Sequence, residues 1–411
     1  MGAASFVGDP DAGHREPGAD LLRQRVDLPA EVVAIAQRLE DAGFETWAVG
    51  GALRDLLLDE GGSDVDLATA APPEVVQRLF RHTVPVGLAH GTVGVLDPDR
   101  RLHEVTTFRH DVATDGRHAI VQFGASLHDD LARRDFTINA IAYHPIRKEW
   151  ADPFRGYADL RAGVVRAVGN PAERFREDYL RILRAIRFAA RFDFEIEPVT
   201  WSAAVAAASG LSGLSAERVR DEWFKSLGSA RSLPRLVRLW HEAGAARSWL
   251  PELHPDWPGA DIAPAERDPV LLTAVAGSAP DVALRRLRAS NAEIARAEAI
   301  VAGPAAPASQ DPSPVRRWLA RVGDAADDLL RVHRYLRGED PPWAGVVSGI
   351  RARGEATTRA GLALTGSDLL ELGLPAGPEL GAMLDRLLGA VLDDPGLNTR
   401  ERLLEMARSW R

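Results

Sequence analysis

The 411-residue chain contains no cysteine, and of its 50 basic residues only Lys148 and Lys225 are lysine. Without cysteine there is no disulfide and no thiolate-held metal, which leaves the cytoplasm as the default compartment. Nor is there a run approaching the roughly 20 apolar residues that cross a bilayer, so no membrane partner is expected. The opening MGAASFVGDPDAGHREPGAD lacks a basic start followed by an apolar stretch, so residues 1–27 read as a disordered leader rather than a secretory signal. A positive net charge is missing too. At −9 the chain does not suit a protein that coats nucleic acid indiscriminately, and no DNA partner is expected, although a local basic groove on an acidic molecule still binds phosphates. With 50 − 2 = 48 arginines, arginine richness is a bias of the whole chain, and position has to carry the argument.

At 45% hydrophobic and 27% charged the sequence belongs with ordinary globular proteins, long enough for about two to four domains. From Leu28 to His144 helix-like and strand-like segments alternate: a helix over Ala30–Ala42, a strand ending at Val49, a glycine turn, a helix over Ala52–Leu58, a strand with two aspartates, a helix opened by Pro72–Pro73, then strands TVGVLD and LHEVTTF. After a link at Trp150–Gly169 the pattern is helical, beginning with a long helix over Pro171–Arg191. The expected fold class is an α/β head over residues 28–160 followed by all-α segments: a neck over 161–255, a body over 256–363 and a tail over 364–411.

The stretch AVGGALRDLLLDEGGSDVDLAT from Ala48 to Thr69 is the densest in chemical meaning. Gly50–Gly51 ends a buried strand where the backbone must approach something closely, and the helix that follows presents free N–H groups suited to a triphosphate. Asp64 and Asp66 are two apart in an extended run, so both face one way while Val65 and Leu67 face the core. Two carboxylates side by side call for a cation, and Mg2+, which takes a few carboxylates plus phosphate oxygens, suits the spacing. A lone GG is commonly a turn and a lone D-x-D a solvated strand end; in this order and spacing they point to metal-dependent nucleotidyl transfer.

Two further segments add to it. In LARRDFTINAIAY, Arg134 has the planar fork that clamps phosphate, and Asp135 has two roles open, pairing with that arginine or ligating metal; a surface ion pair is the alternative. In EDYLRILRAIRFAAR, Asp178 and Arg181 are three apart on one expected helical face, with Arg184 one step around, offering acceptors and donors to a base edge. Arg187, half a turn from Asp178, is expected to reach phosphate or RNA instead. An exposed i,i+3 ion pair is the alternative here too.

Assembled, these segments resemble the class II tRNA nucleotidyltransferases, the family of bacterial CCA-adding enzymes and poly(A) polymerases. VGGALRD with DVDL resembles its metal and triphosphate motif, RRDFTINAIAY the segment before the neck, EDYLRILRAIRFAARF its nucleotide-selecting helix, LSAERVRDEWFK the neck motif, and TGSDLLELGLPAGPELG with LNTRERLLE its tRNA-contacting tail. The resemblance implies a nucleotidyltransferase head, Mg2+ held by the catalytic Asp64 and Asp66, nucleotide contacts from Gly51, Arg54, Arg134, Asp178, Arg181, Arg184 and Arg187, and tRNA, ATP and CTP as partners. Glu104 and Asp135 are rivals for a third carboxylate. Arg109–Ser126, with Asp111, Asp115, Gly116 and Arg117, stands where a mobile loop would reshape the pocket between C and A addition, which implies a full CCA product. A CC-only or A-only enzyme, a poly(A) polymerase and a noncatalytic RNA-binding protein remain the alternatives.

Overall fold

The computed structural model describes residues 5–7, 21, 24–61, 64–87, 91–114, 119–307 and 309–411, and the chain divides into two compact units, Met1–Pro251 and Glu252–Arg411. The leader falls largely outside the described residues; within its described part, β1 (Ser5–Val7) and β2 (Arg25–Asp27) pair antiparallel. Next come α1 (Ala30–Asp41), β3 (Thr46–Val49), α2 (Gly51–Leu57), β4 (Asp66–Thr69), α3 (Pro73–Leu79), β5 (Thr83–Gly87), β6 (Thr92–Leu96) and β7 (Leu102–Thr107). The hairpin β8 (Arg109–Thr114) and β9 (Ala119–Phe123) follows, and its connection, Asp115–His118, lies outside the described residues together with the Asp111 side chain. Then come α4 (Leu127–Ala132), β10 (Ala142–His144) and β11 (Glu149–Ala151).

Seven strands form one sheet in the order β11-β10-β3-β4-β7-β6-β5. Its alternation explains both faces. Leu67, Val93, Val95 and Val105 join the core with Val32, Ile35, Ala36 and Leu39 of α1, whose i, i+3, i+4, i+7 spacing makes one apolar stripe. Trp47, Val49 and Ala68 pack on the opposite side with Phe108 and Leu131. The central β3/β4 pair is antiparallel with Val49 opposite Asp66, and β4/β7 is parallel with Leu67 opposite Val105.

The expected link over Trp150–Gly169 is instead folded: β11 closes the sheet edge, α5 (Gly156–Ala162) follows, and β12 (Val164–Val165) pairs with β13 (Glu195–Ile196). The helix expected over Pro171–Arg191 is two helices, α6 (Pro171–Glu177) and α7 (Leu180–Phe192). Asp178 between them has extended backbone (φ −154°, ψ 105°), and its side chain accepts the Leu180 N–H at 3.0 Å. An aspartate that caps the next turn competes with helix continuation, which is why periodicity alone misses the break. Tyr179 is pressed against Gly210, where a Cβ would come within 2.1 Å of its ring. From α7, Ala185, Phe188, Ala189 and Phe192 belong to the head's own core, so this helix is fixed directly against the sheet domain. The helices α8 (Pro198–Ala206), α9 (Ala216–Ser229), α10 (Leu233–Glu242) and α11 (Ala245–Trp249) complete this unit, with Trp223 and Trp240 edge to face at 4.7 Å.

The second unit is helical. Its C-terminal helices, Pro378–Asp393 and Arg400–Trp410, share a core with Ala356, Leu362 and Leu364. Buried Arg316 donates to the carbonyls of Leu392 (2.6 Å) and Asp393 (3.0 Å) and to Glu355 (2.9 Å). Among the described residues no helix is long and apolar enough to cross a membrane.

Candidate active site

A cavity of about 480 Å³ opens in the first unit where β3, α2 and β4 meet α7. It is lined by Gly50, Gly51, Arg54, Asp66, Arg133, Arg134, Asp135, Asn139, Asp178, Arg181, Arg184, Arg187 and Phe188. All seven side chains and backbone positions expected to contact nucleotide therefore converge, with Asp66 beside them. Asp64 stands two residues before Asp66 at the exposed entry to β4 and is not part of the lining. Six arginines against three aspartates give the cavity a positive balance suited to a triphosphate.

Gly50 shows why the glycine pair is needed. Its φ of +90° is left-handed, and a Cβ there would lie 3.4 Å from Asp66 Oδ2 and 3.7 Å from Arg134 Nη1, in the gap between the acid and the cation. Arg54 is held rigidly. Its guanidinium gives Nε and Nη2 to Asp55 Oδ1 (2.9 and 2.7 Å) and Nη1 to Asn139 Oδ1 (2.5 Å), with the rings of Phe188 and Phe192 at 4.9 and 4.8 Å. Burial lowers its pKa, and Asp55 works against that shift.

Asp66 has the opposite environment. Burial first, then the charges of Glu104 and Asp64, push its carboxyl up to about 6, with Arg134 pulling the other way. Glu104 reaches it because β4 and β7 run parallel, which sets Glu104 beside Asp66 one step before the Leu67–Val105 pair. Asp135 is placed differently. It accepts from Arg184 Nε (2.7 Å), Asn139 Nδ2 (2.9 Å) and the Phe136 N–H (2.8 Å), and although burial opposes ionisation, Arg184 and these donors hold its carboxyl down to about 2. Asp135 is thus neither paired with Arg134 nor in a surface ion pair, and its acceptor capacity is committed. Arg134 pairs with Asp130 (3.2 Å) and donates to the Asn139 carbonyl (3.2 Å).

The α7 side departs from the simple helical-face picture. Asp178, at the break, pairs with Arg218 at 2.6 Å, while Arg181 pairs with Glu177 at 2.6 Å and donates to the Arg133 carbonyl at 3.0 Å. The two residues share the cavity without pairing with each other. Because Asp178 is not helical, the half-turn count from it to Arg187 does not apply, and Arg187 lines the same cavity, bonded to buried Glu222 at 2.7 Å. Sequence reading missed Asn139, Phe188 and Glu222. All three lie inside motifs named above, Glu222 in LSAERVRDEWFK, but a neutral amide and a phenyl ring carry no charge pattern, and Glu222 is one of several acids in a charged helix.

Among the described residues, no three His, Asp or Glu side chains converge closely enough to hold a metal ion by themselves. Asp66, with its charge raised in energy by two neighbouring carboxylates and only partly offset by Arg134, nonetheless fits a hard cation whose remaining ligands are phosphate oxygens.

An anion-binding arginine cluster beside a strand-borne acidic edge, on a sheet domain buttressed by helices, defines a nucleotidyltransferase. The Poly A polymerase head domain family matches residues 46–166, and the family described as the probable RNA and SrmB-binding site of polymerase A matches residues 193–256. The CCA-adding enzyme of Leuconostoc mesenteroides is 36% identical over 398 residues, covering 93% of this chain and 98% of its own; that of Geobacillus stearothermophilus is 35% identical, covering 91% and 95%. The crystal structure of the Bacillus stearothermophilus CCA-adding enzyme in complex with CTP superposes with a TM-score of 0.78 at 34% identity over 92% of this chain and 96% of that one. The chain belongs to the class II tRNA nucleotidyltransferase family, with the bacterial CCA-adding enzymes and poly(A) polymerases.

Proposed function

We propose that this protein adds CCA to tRNA 3′ ends, without a template, from CTP and ATP, releasing pyrophosphate. The observation that carries the reading is the convergence, in one cavity, of the Asp66 edge of β4 with arginines from α2, the Arg133–Arg134 turn and α7. Its likeness over nearly full length to CCA-adding enzymes supports the particular product. Asp64 and Asp66 would hold Mg2+, which when bound supplies charge neutralisation at the phosphates and at the attacking oxygen. The cavity's residues do the rest. Arg134 and Arg54 hold the triphosphate with its α-phosphorus toward Asp66, while Asp178 and Arg181 present an acceptor and donors to the base edge. The tRNA 3′-hydroxyl loses its proton near the Asp64–Asp66 edge and its oxygen bonds to the α-phosphorus as the bond to the bridging oxygen of the β-phosphate breaks. Arg184 and Arg187 keep their orientation through Asp135 and Glu222.

The test is incubation of the purified protein with tRNA transcripts ending at position 73, 74 or 75 and each labelled nucleotide. Successive incorporation of C, C and A is expected. Addition of only C, or only A, would assign a partial activity; long adenylate tails on other RNA would assign a poly(A) polymerase; no incorporation would favour a noncatalytic RNA-binding role.

A further inference from the structure

The nucleotide cavity uses only part of the acidic face of the sheet. It takes its lining from β3, α2, β4, the Arg133–Asn139 turn and α7, and nothing from β5, β6 or β7. On those three strands the residues facing the core are Val93, Val95 and Val105; the alternate residues, Thr92, Gly94, Leu102, Glu104 and Thr106, lie on the face that carries Glu104 beside Asp66. That face bears an apolar patch. Val84, Val86 and Leu102, on the two strands that flank β6, are 39%, 43% and 40% exposed, unusual for aliphatic side chains clustered on one sheet face. Val84 lies opposite Gly94, and a Cβ on Gly94 would come within 2.4 Å of Leu102 Cδ1 and 2.8 Å of Val86 Cγ2. Glycine at this position lets the two side chains close over the strand from either side into one low surface.

We infer that Val84, Val86 and Leu102 form a ledge that carries a nucleobase of the acceptor strand just upstream of the reacting 3′-hydroxyl. The inference rests on the tRNA nucleotidyltransferase reading above. The hydroxyl must sit at Asp66 with the incoming nucleotide on the α7 side, so the strand bearing it has to leave along the other side, over β7 and β6. Strands lie about 4.8 Å apart, which puts Gly94, two strands from Asp66, roughly 10 Å away, within the reach of one or two nucleotides. The ledge side chains offer no hydrogen-bonding group, and every base has an apolar face, so the surface accepts any base there. A processing enzyme serving many tRNAs needs that tolerance. An exposed apolar edge strand is otherwise a liability for self-association, and β5 keeps Pro85 within it, which withholds a backbone donor.

The test uses the full-length protein with Val86→Ser and Leu102→Ser combined, both exposed positions, and a tRNA transcript ending at position 73. The KM for tRNA should rise about five- to twentyfold while the KM for CTP stays within twofold, and a photoreactive thiopyrimidine at the terminal base should crosslink to the peptide spanning Thr83–Gly87 or Leu102–Thr107 in wild type. Wild-type transfer with an unchanged KM for tRNA in the variant would overturn the ledge and leave the enzyme reading standing. A wild-type protein that elutes as a dimer and a variant that elutes as a monomer, again with unchanged tRNA kinetics, would assign the patch to a second copy of the chain. A wild type that transfers nothing would remove the enzyme reading and the ledge with it.

Discussion

Replacing Asp66 by asparagine should make the protein more stable when no divalent cation is present. Burial and the charges of Glu104 and Asp64 raise its carboxyl from 3.8 to about 6. The rise corresponds to about 3 kcal/mol of folding free energy withheld at neutral pH, at about 1.36 kcal/mol per tenfold change in acidity. The sign follows from the direction: a carboxyl raised in the folded state leaves the wild type most stable below pH ~4 and penalised increasingly as pH climbs through about 6. Asparagine carries no charge, and desolvating its amide costs about 1 kcal/mol, so a net gain of about 2 kcal/mol is expected at pH 7.5. In a unit of this size that is a rise in Tm of roughly 4–8 °C. At pH 5 the gain should shrink to less than half of that, because there the wild-type penalty is only partly developed. Calorimetry in a chelator at the two pH values measures both quantities, and adding Mg2+ should then raise the wild-type Tm and leave the variant's unchanged. A variant that melts at or below wild type at pH 7.5, or whose advantage does not change between pH 7.5 and 5, would refute the reading of Asp66 as an acid only partly offset by Arg134 and held in place for a cation.

Asp64→Asn and Asp66→Asn should abolish nucleotide transfer while tRNA affinity, measured by filter binding, changes little. Asp135→Ala should cost about 1–3 kcal/mol in urea unfolding, because it leaves the buried Asn139 amide and Phe136 N–H without their acceptor, while Arg184, one-third exposed, keeps Glu222 at 3.7 Å; Asp135→Asn should cost less. Asp178→Ala should reduce the preference for CTP and ATP over UTP and GTP by about 1–3 kcal/mol in kcat/KM, and it frees Arg218, so Arg218→Ala is the control that separates base reading from the ion pair. Truncation after residue 364 should lower the stability of the second unit as well as tRNA binding, since it strips the core around Leu362 and Leu364 and leaves Arg316 without its carbonyl acceptors; loss of tRNA binding with an unchanged urea transition would contradict that.

The sequence carried the head well because its signals are local and mutually consistent. The stripe on α1, the alternation around Val65 and Leu67, and the glycine pair each follow from spacing alone, and each stands within a residue or two of where spacing put it. The residues expected to contact nucleotide also line one cavity, because they sit in motifs whose identity and order are distinctive. The failures have separate causes. Whether Asp135 meets Arg134 or Arg184 depends on how α7 docks on the head, a contact 49 residues apart in the chain that no local pattern encodes. The helix break at Asp178 hides inside a good 3.6-residue repeat, since one capping aspartate and the packing of Tyr179 on Gly210 override the periodicity. Short strands such as β11 and β12 carry too few residues to show any period, so the link between head and neck read as irregular.

The proposed function requires one cavity to serve both cytidine and adenosine addition. The most direct measurement is single-turnover transfer by Arg181→Ala, with C addition followed on tRNA ending at position 73 and A addition on tRNA ending at position 75. With Arg181 lining the shared cavity, both rates should fall, each by at least tenfold at subsaturating nucleotide. A variant that loses one addition and keeps the other at the wild-type rate would contradict a single site.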